Sequence, residues 1–253
     1  MFIETAIRRP TQILRGLATS TLSWIPDETV CPILTGRLRG KKWIIGSSRK
    51  ACWLGIYESH FQDLLRAQLR SSMVFYDIGA NVGFYSLLAS GILQSGTIYS
   101  FEPVPRNVDY LRRHVRLNRA GNVHVMDIAV SNYDGQATFQ DSVDHASGHL
   151  GPGELQVNTR SMDSLLASQE ILTPDCMKID VEGEELKVLL GARTCLTLRK
   201  PTILLATHSE QLHTECRNLL ESLGYTLTAI KTLDEGRADL LATPKGSWVG
   251  AGH

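Results

Sequence analysis

Val74-Phe75-Tyr76-Asp77-Ile78-Gly79-Ala80-Asn81-Val82-Gly83-Phe84 contains three structural signals in eleven residues. An apolar run of strand length closes on Asp77, glycines at 79 and 83 bracket a turn, and helical spacing begins near Val82. Without a Cβ, Gly79 lets the turn backbone approach a ligand closely, and Gly83 lets the next helix pack against that turn. In an open parallel sheet such a turn stands at the carboxyl edge, where ligands bind.

The same rhythm repeats downstream. Short apolar runs at 73–78, 97–101, 123–126, 176–181 and 202–206 alternate with helical patterns at 82–93, 106–118, 184–190 and 210–223. This alternation predicts parallel strand–helix–strand units with right-handed crossovers. Two further strands, 226–230 and 238–242, flank Asp234-Glu235-Gly236 and predict an antiparallel hairpin. The longest predicted loop is 141–153, rich in Gly, His, Ser and Asp, the kind of segment that forms lids. Upstream, residues 33–45 suggest a hairpin punctuated by Gly36 and Gly40, and 58–70 carries helical spacing. Residues 1–25 suggest a short basic amphipathic helix interrupted at Pro10. We therefore divide the chain into an N-terminal helix and hairpin cap, 1–70, and a ligand-binding α/β domain, 71–253.

A chain of 253 residues with 43% hydrophobic and 21% charged content suits one sizeable soluble domain and argues against disorder or a membrane-embedded body. The zero net charge hides an asymmetry: residues 1–70 hold 11 Lys/Arg against 5 Asp/Glu, leaving +6 there and −6 in the remainder. A solvated basic face is the simplest reading. An anionic membrane surface, a phosphorylated acceptor or nucleic acid would also suit it. Cys31, Cys52, Cys176, Cys195 and Cys216 show no zinc-type spacing and read as reduced structural thiols. With no apolar run of about 20 residues and no signal-peptide pattern, the expected location is the cytoplasm, with peripheral membrane contact through the N-terminus as an option.

The turn at 79–83 lacks the GxGxxG spacing of dinucleotide-binding folds. About 20 residues past it, Glu102 is placed to accept hydrogen bonds from both ribose hydroxyls of a nucleoside. Asp127, ending the third strand, is placed to accept from an adenine amino group. The predicted nucleoside contacts are Asp77, Gly79, Ala80, Asn81 and Gly83 of the first turn, Glu102 and Pro103 of the second, and Asp127 and Ala129 of the third.

These stretches, with Ala129-Val130-Ser131-Asn132-Tyr133-Asp134-Gly135, Met177-Lys178-Ile179-Asp180-Val181-Glu182-Gly183-Glu184-Glu185-Leu186 and Leu189-Leu190-Gly191-Ala192, resemble the FkbM-type methyltransferases. The resemblance covers roughly residues 73–245. It implies a Rossmann-like class I methyltransferase fold: a mostly parallel sheet of seven strands ending in an antiparallel hairpin, with S-adenosyl-L-methionine as donor and S-adenosyl-L-homocysteine as product. O-methylation of a sugar or natural-product hydroxyl is the implied reaction. Ala206-Thr207-His208 departs from the family pattern, in which an acidic residue often precedes the histidine.

Period two places Lys178, Asp180 and, if the strand persists, Glu182 on one face. Charge at alternate positions of a central parallel strand is costly, which suggests a function. Asp180 is expected at the junction of donor and acceptor as base or orienting group, with Glu182 shaping the pocket and Lys178 paired to a carboxylate. His208, just past the next strand, is the alternative base, or a structural histidine bonded to a carboxylate. His114 and His124 read as packing or surface residues. His145 and His149, with Asp141 and Asp144, form a candidate divalent-metal set, but a substrate loop is the simpler reading and no required metal is expected. The expected partner is a saccharide or glycosylated metabolite rather than nucleic acid. RNA or protein methylation, a nicotinamide oxidoreductase and a non-catalytic nucleoside-binding regulator are the competing readings.

Overall fold

A computed structural model describes residues 25–140, 149–150, 155–232 and 238–246. The front segment gives an antiparallel pair, β1 (Val30–Pro32) and β2 (Lys42–Ile44), followed by α1 (Lys50–Leu54) and α2 (Ser59–Gln68). The hairpin strands are shorter than the 33–45 pattern predicts. Gly36 and Gly40 take positive φ within the connection, so they shape the loop rather than punctuate strands. All but the last residue of the predicted 1–25 helix lies outside the described residues.

Next come β3 (Val74–Ile78), α3 (Phe84–Ser90), β4 (Thr97–Phe101), α4 (Pro105–Asn118) and β5 (Val123–Met126), with the three strands pairing in parallel. Successive side chains of a strand point to opposite faces. Phe75, Ile98 and Cys176 accordingly join one hydrophobic cluster, while Tyr76, Tyr99 and Met177 join another on the far side. Burial on both faces explains why these segments read as continuous apolar runs rather than alternating ones.

A second sheet follows, built from β6 (Ala129–Ser131), β7 (Gly135–Gln140), β8 (His149–Leu150) and β9 (Leu155–Ser161) in the order β6-β9-β7-β8. Sequence patterning does not reveal it, because it buries only a small cluster that includes Val104, Ala129, Phe139 and Val157. Most of the predicted 141–153 loop lies outside the described residues. Its described part is corrected: His149–Leu150 is a strand paired with β7. The chain then continues through α5 (Met162–Ala167), β10 (Cys176–Ile179), α6 (Glu185–Gly191), α7 (Arg193–Leu198), β11 (Thr202–Thr207), α8 (Glu210–Ser222), β12 (Tyr225–Thr232) and β13 (Ala238–Pro244).

The main sheet has seven strands in the order β12-β13-β11-β10-β3-β4-β5, parallel from β11 to β5 and antiparallel at the β12–β13 hairpin. The expected Rossmann-like topology is present. Trp43, Trp53, Phe61 and Leu65 of the front segment share one core cluster with Phe75, Leu87 and Ile98 of the sheet and α3. His114 ties this contact to the first turn. Its ring stacks on Trp43 at 3.9 Å, its Nε2 accepts from the Ile44 N–H at 3.1 Å, and its Nδ1 lies 2.8 Å from the Val82 carbonyl. Because Nε2 is an acceptor, Nδ1 carries the proton and the ring is neutral. Burial pushes its pKa down to about 4. The five cysteines are unpaired, and four of them are buried. No helix among the described residues is long and apolar enough to cross a membrane.

Candidate functional site

Three strand tips of the main sheet, those of β3, β4 and β10, open onto one cavity. The β3 tip supplies a tight turn. Gly79 has φ 77° and its missing Cβ would lie 1.9 Å from the Asp180 carbonyl oxygen, so only glycine fits between the first turn and the β10 tip. Gly83, at φ 92°, instead faces Leu111 of α4, where a Cβ would come within 2.2 Å of a side-chain carbon.

Of the predicted nucleoside contacts, Gly79, Ala80, Asn81, Glu102, Pro103 and Ala129 line the cavity. The carboxylate of Glu102 is 5% exposed and fixed by the turn opposite. It accepts from the Asn81 N–H at 2.8 Å, the Val104 N–H at 3.0 Å and the Asn107 amide at 3.3 Å. Burial raises its pKa to about 7, against the pull of those three donors.

Three expected contacts do not line the cavity. Asp77 is buried beneath the turn rather than on the wall: one oxygen accepts from the Ser86 hydroxyl at 2.6 Å and the other faces Lys178 Nζ at 3.5 Å. Gly83 is a packing residue against α4, for the reason given above. Asp127 turns outward onto the Arg112 guanidinium at 2.6 and 2.8 Å, and the third tip offers the cavity Ile128 and Ala129 instead.

Asp180 and Glu182 also line the cavity. The pleat does not place them side by side as predicted, because β10 ends at Ile179. Glu182 has φ 52° and Gly183 φ 109°, and this turn brings Glu182 back toward Asp180. The Gly183 N–H then donates to Glu185 Oε1 at 2.9 Å. His208, preceding the Ser209 cap of α8, stands behind the two carboxylates rather than on the wall. Its Nε2 lies 3.2 Å from Glu182 Oε2 and 3.5 Å from Asp180 Oδ1, while Nδ1 lies 2.7 Å from Glu185 Oε1. The three residues expected to carry the chemistry are thus together. Glu185 was not singled out by the sequence reading.

Lys178 is the buried cation of the site. Its Nζ lies 3.5 Å from Asp77, 3.4 Å from Asp180 and 3.3 Å from the Gly79 carbonyl, over the Tyr85 ring at 5.2 Å. Burial opposes its charge, yet Asp180, Asp77 and Glu58 hold its pKa above the ordinary lysine value. Burial likewise opposes the charge on Asp180, but Lys178 and His208 keep its carboxyl below the usual range. His208 follows the same logic: burial disfavours its charge, and the bond to Glu185 with the charges of Asp180 and Glu182 raises it to about 9. The front segment contributes Ser48, Arg49, Cys52 and Tyr57 to the cavity wall, residues that no spacing rule singles out.

Comparison with known proteins adds independent findings. The family model described as "Methyltransferase FkbM domain" matches residues 77–227. The chain is 32% identical over 142 residues to hexuronic acid methyltransferase AglP of Haloferax volcanii, which covers 53% of this chain and 57% of that protein. It is 24% identical over 212 residues to methyltransferase sdnD of Sordaria araneosa, covering 68% and 80%. The chain thus spans little more than half the length of the first of these relatives. Among solved structures, methyltransferase FkbM from Methylobacillus flagellatus KT superposes with a TM-score of 0.54 at 20% identity, over 69% of this chain and 44% of that one. Precorrin-6y C5,15-methyltransferase from Geobacter metallireducens GS-15 gives 0.52 at 16%, over 78% and 93%. At these identities the superpositions speak to the fold, which is that of class I methyltransferases.

Proposed function

The chain belongs to the FkbM methyltransferase domain family, and from that premise we propose that it transfers a methyl group from S-adenosyl-L-methionine to a hydroxyl of a saccharide or glycosylated small molecule. The observation that carries the reading is a single cavity lined by the carboxylates of both Glu102 and Asp180.

The residues present suit the donor. The turn at Gly79 has no room for a side chain, Glu102 offers a buried carboxylate to a ribose diol, and the pair Asp180 and Glu182 offers negative charge to a sulfonium. When bound, the donor supplies a methyl carbon activated by its bond to positive sulfur, which takes that bond's electron pair as it departs.

The protein's part is placement and proton handling. In-line displacement requires acceptor oxygen, methyl carbon and sulfur to be aligned with water excluded, a task that suits the walls formed by Tyr57, Phe84 and Val181. A hydroxyl oxygen becomes strongly acidic as it bonds to the methyl carbon. Even a carboxylate with a lowered pKa can then take its proton, and Asp180 is the ionised carboxylate on the wall. His208, held as a cation by its three carboxylate neighbours, orients Asp180 and Glu182. The saccharide acceptor is suggested by the hexuronic acid named for the Haloferax relative.

The test is a donor-consumption assay over a panel of free and glycosylated saccharides, with the methylated product read by mass spectrometry. The reading expects turnover on at least one hydroxylated sugar. Turnover only on RNA or protein would replace the acceptor class.

A further inference from the structure

The turn after β10 and the tip of β11 gather donors of mixed chemistry. Asp180, Glu182 and His208 each present one atom, and the three atoms lie within 4.8 Å of one another. The two separations from His208 Nε2, 3.2 and 3.5 Å, approach the spacing of adjacent ligands around an octahedral ion, about 3 Å for bonds of about 2.1 Å. Asp180 serves two partners without conflict: Oδ2 faces Lys178, and Oδ1 faces His208.

A second observation lies behind the imidazole. Glu185 is fully buried and directs Oε1 at His208 Nδ1 from 2.7 Å, while its Oε2 has no hydrogen-bond partner. A metal-binding histidine typically gives its other ring N–H to such a carboxylate, which fixes the tautomer and turns the free lone pair toward the ion. Here that lone pair, freed when an ion displaces the Nε2 proton, would face Asp180 and Glu182.

We propose that Asp180, Glu182 and His208 are the protein ligands of a divalent cation of the Mg2+ or Mn2+ kind, with Glu185 orienting the imidazole and the remaining positions open toward the cavity. Two carboxylates and one imidazole with open positions suit such ions. The cation would accept the acceptor's hydroxyl as a ligand and increase its acidity. That last role rests on the methyl-transfer reading, whereas the cation site does not. The inference departs from the expectation that no metal is required.

The experiment is Mn2+ titration of the full chain, followed by electron paramagnetic resonance of the free ion, beside calorimetric titration with S-adenosylhomocysteine. Wild-type protein should take up one Mn2+ per chain in a saturable manner. His208→Gln and Glu182→Gln should lose at least tenfold in Mn2+ affinity, and Glu185→Gln about 10–100-fold. Retained S-adenosylhomocysteine uptake shows that each variant has folded. Absence of saturable Mn2+ uptake by wild-type protein, or unchanged affinity in a folded His208→Gln variant, overturns the proposal. Mn2+ uptake without S-adenosylhomocysteine uptake would support the cation site and count against the methyl-transfer reading.

Discussion

Lys178 Nζ stands 3.5 Å from Asp77 Oδ1 across the register of two adjacent parallel strands, both side chains almost wholly buried. The same ammonium reaches Asp180 at 3.4 Å, so one cation joins the strand beneath the first turn to the carboxylate just past β10. Removing one partner from a buried ion pair leaves an uncompensated charge, which costs about 3–5 kcal/mol. Lys178→Met should therefore lower the denaturation midpoint markedly, and adding Asp77→Asn should recover part of the loss. Equal stability of wild type and Lys178→Met in denaturant titration would contradict the network.

Glu102 provides a pH test of the donor end. Its pKa, raised to about 7 by burial, means that the ionised form needed to accept from ribose hydroxyls is depleted below that pH. Affinity for S-adenosylhomocysteine should be flat above about pH 8 and fall by up to about tenfold per unit below pH 7. Calorimetry across this range checks it. Glu102→Gln should bind more weakly and lose the dependence.

Asp180 provides the test of the proposed proton transfer. If its carboxylate takes the acceptor proton, Asp180→Asn should lower turnover by about 10²- to 10⁴-fold. Steady-state kinetics on an identified acceptor measures this. Unchanged turnover and unchanged acceptor KM would remove Asp180 from the chemistry.

His114 predicts a change in stability rather than activity. Its folded-state pKa of about 4 lies below the ordinary 6.5, so the native state favours the neutral ring. The stability contribution is present in full above about pH 6.5 and is lost as pH falls toward 4, a span worth about 3 kcal/mol. Unfolding free energies measured from pH 7 to pH 4 should show this slope, and His114→Gln should flatten it.

The parallel sheet was legible because its strands are buried on both faces and end abruptly at charge. The bounds of β4 and β5 fall where the apolar runs stop, and Ser209 caps α8 where the helical pattern starts. The features that were missed have no period. Glu182 returns beside Asp180 through a left-handed residue, and no alternation rule foretells that turn. Asp127 ends its strand as expected, but Arg112, 15 residues earlier on α4, captures it. Glu185 read as one acidic residue among several until His208 arrived from the next strand. The small second sheet escaped because its segments are short and half polar.

An adenosyl-donor site at the tips of β3, β4 and β10 must bind S-adenosylhomocysteine, which calorimetric titration of folded protein at pH 8 measures. Saturable binding of one molecule per chain, weakened by Glu102→Gln, is expected. No binding by folded wild-type protein would contradict it.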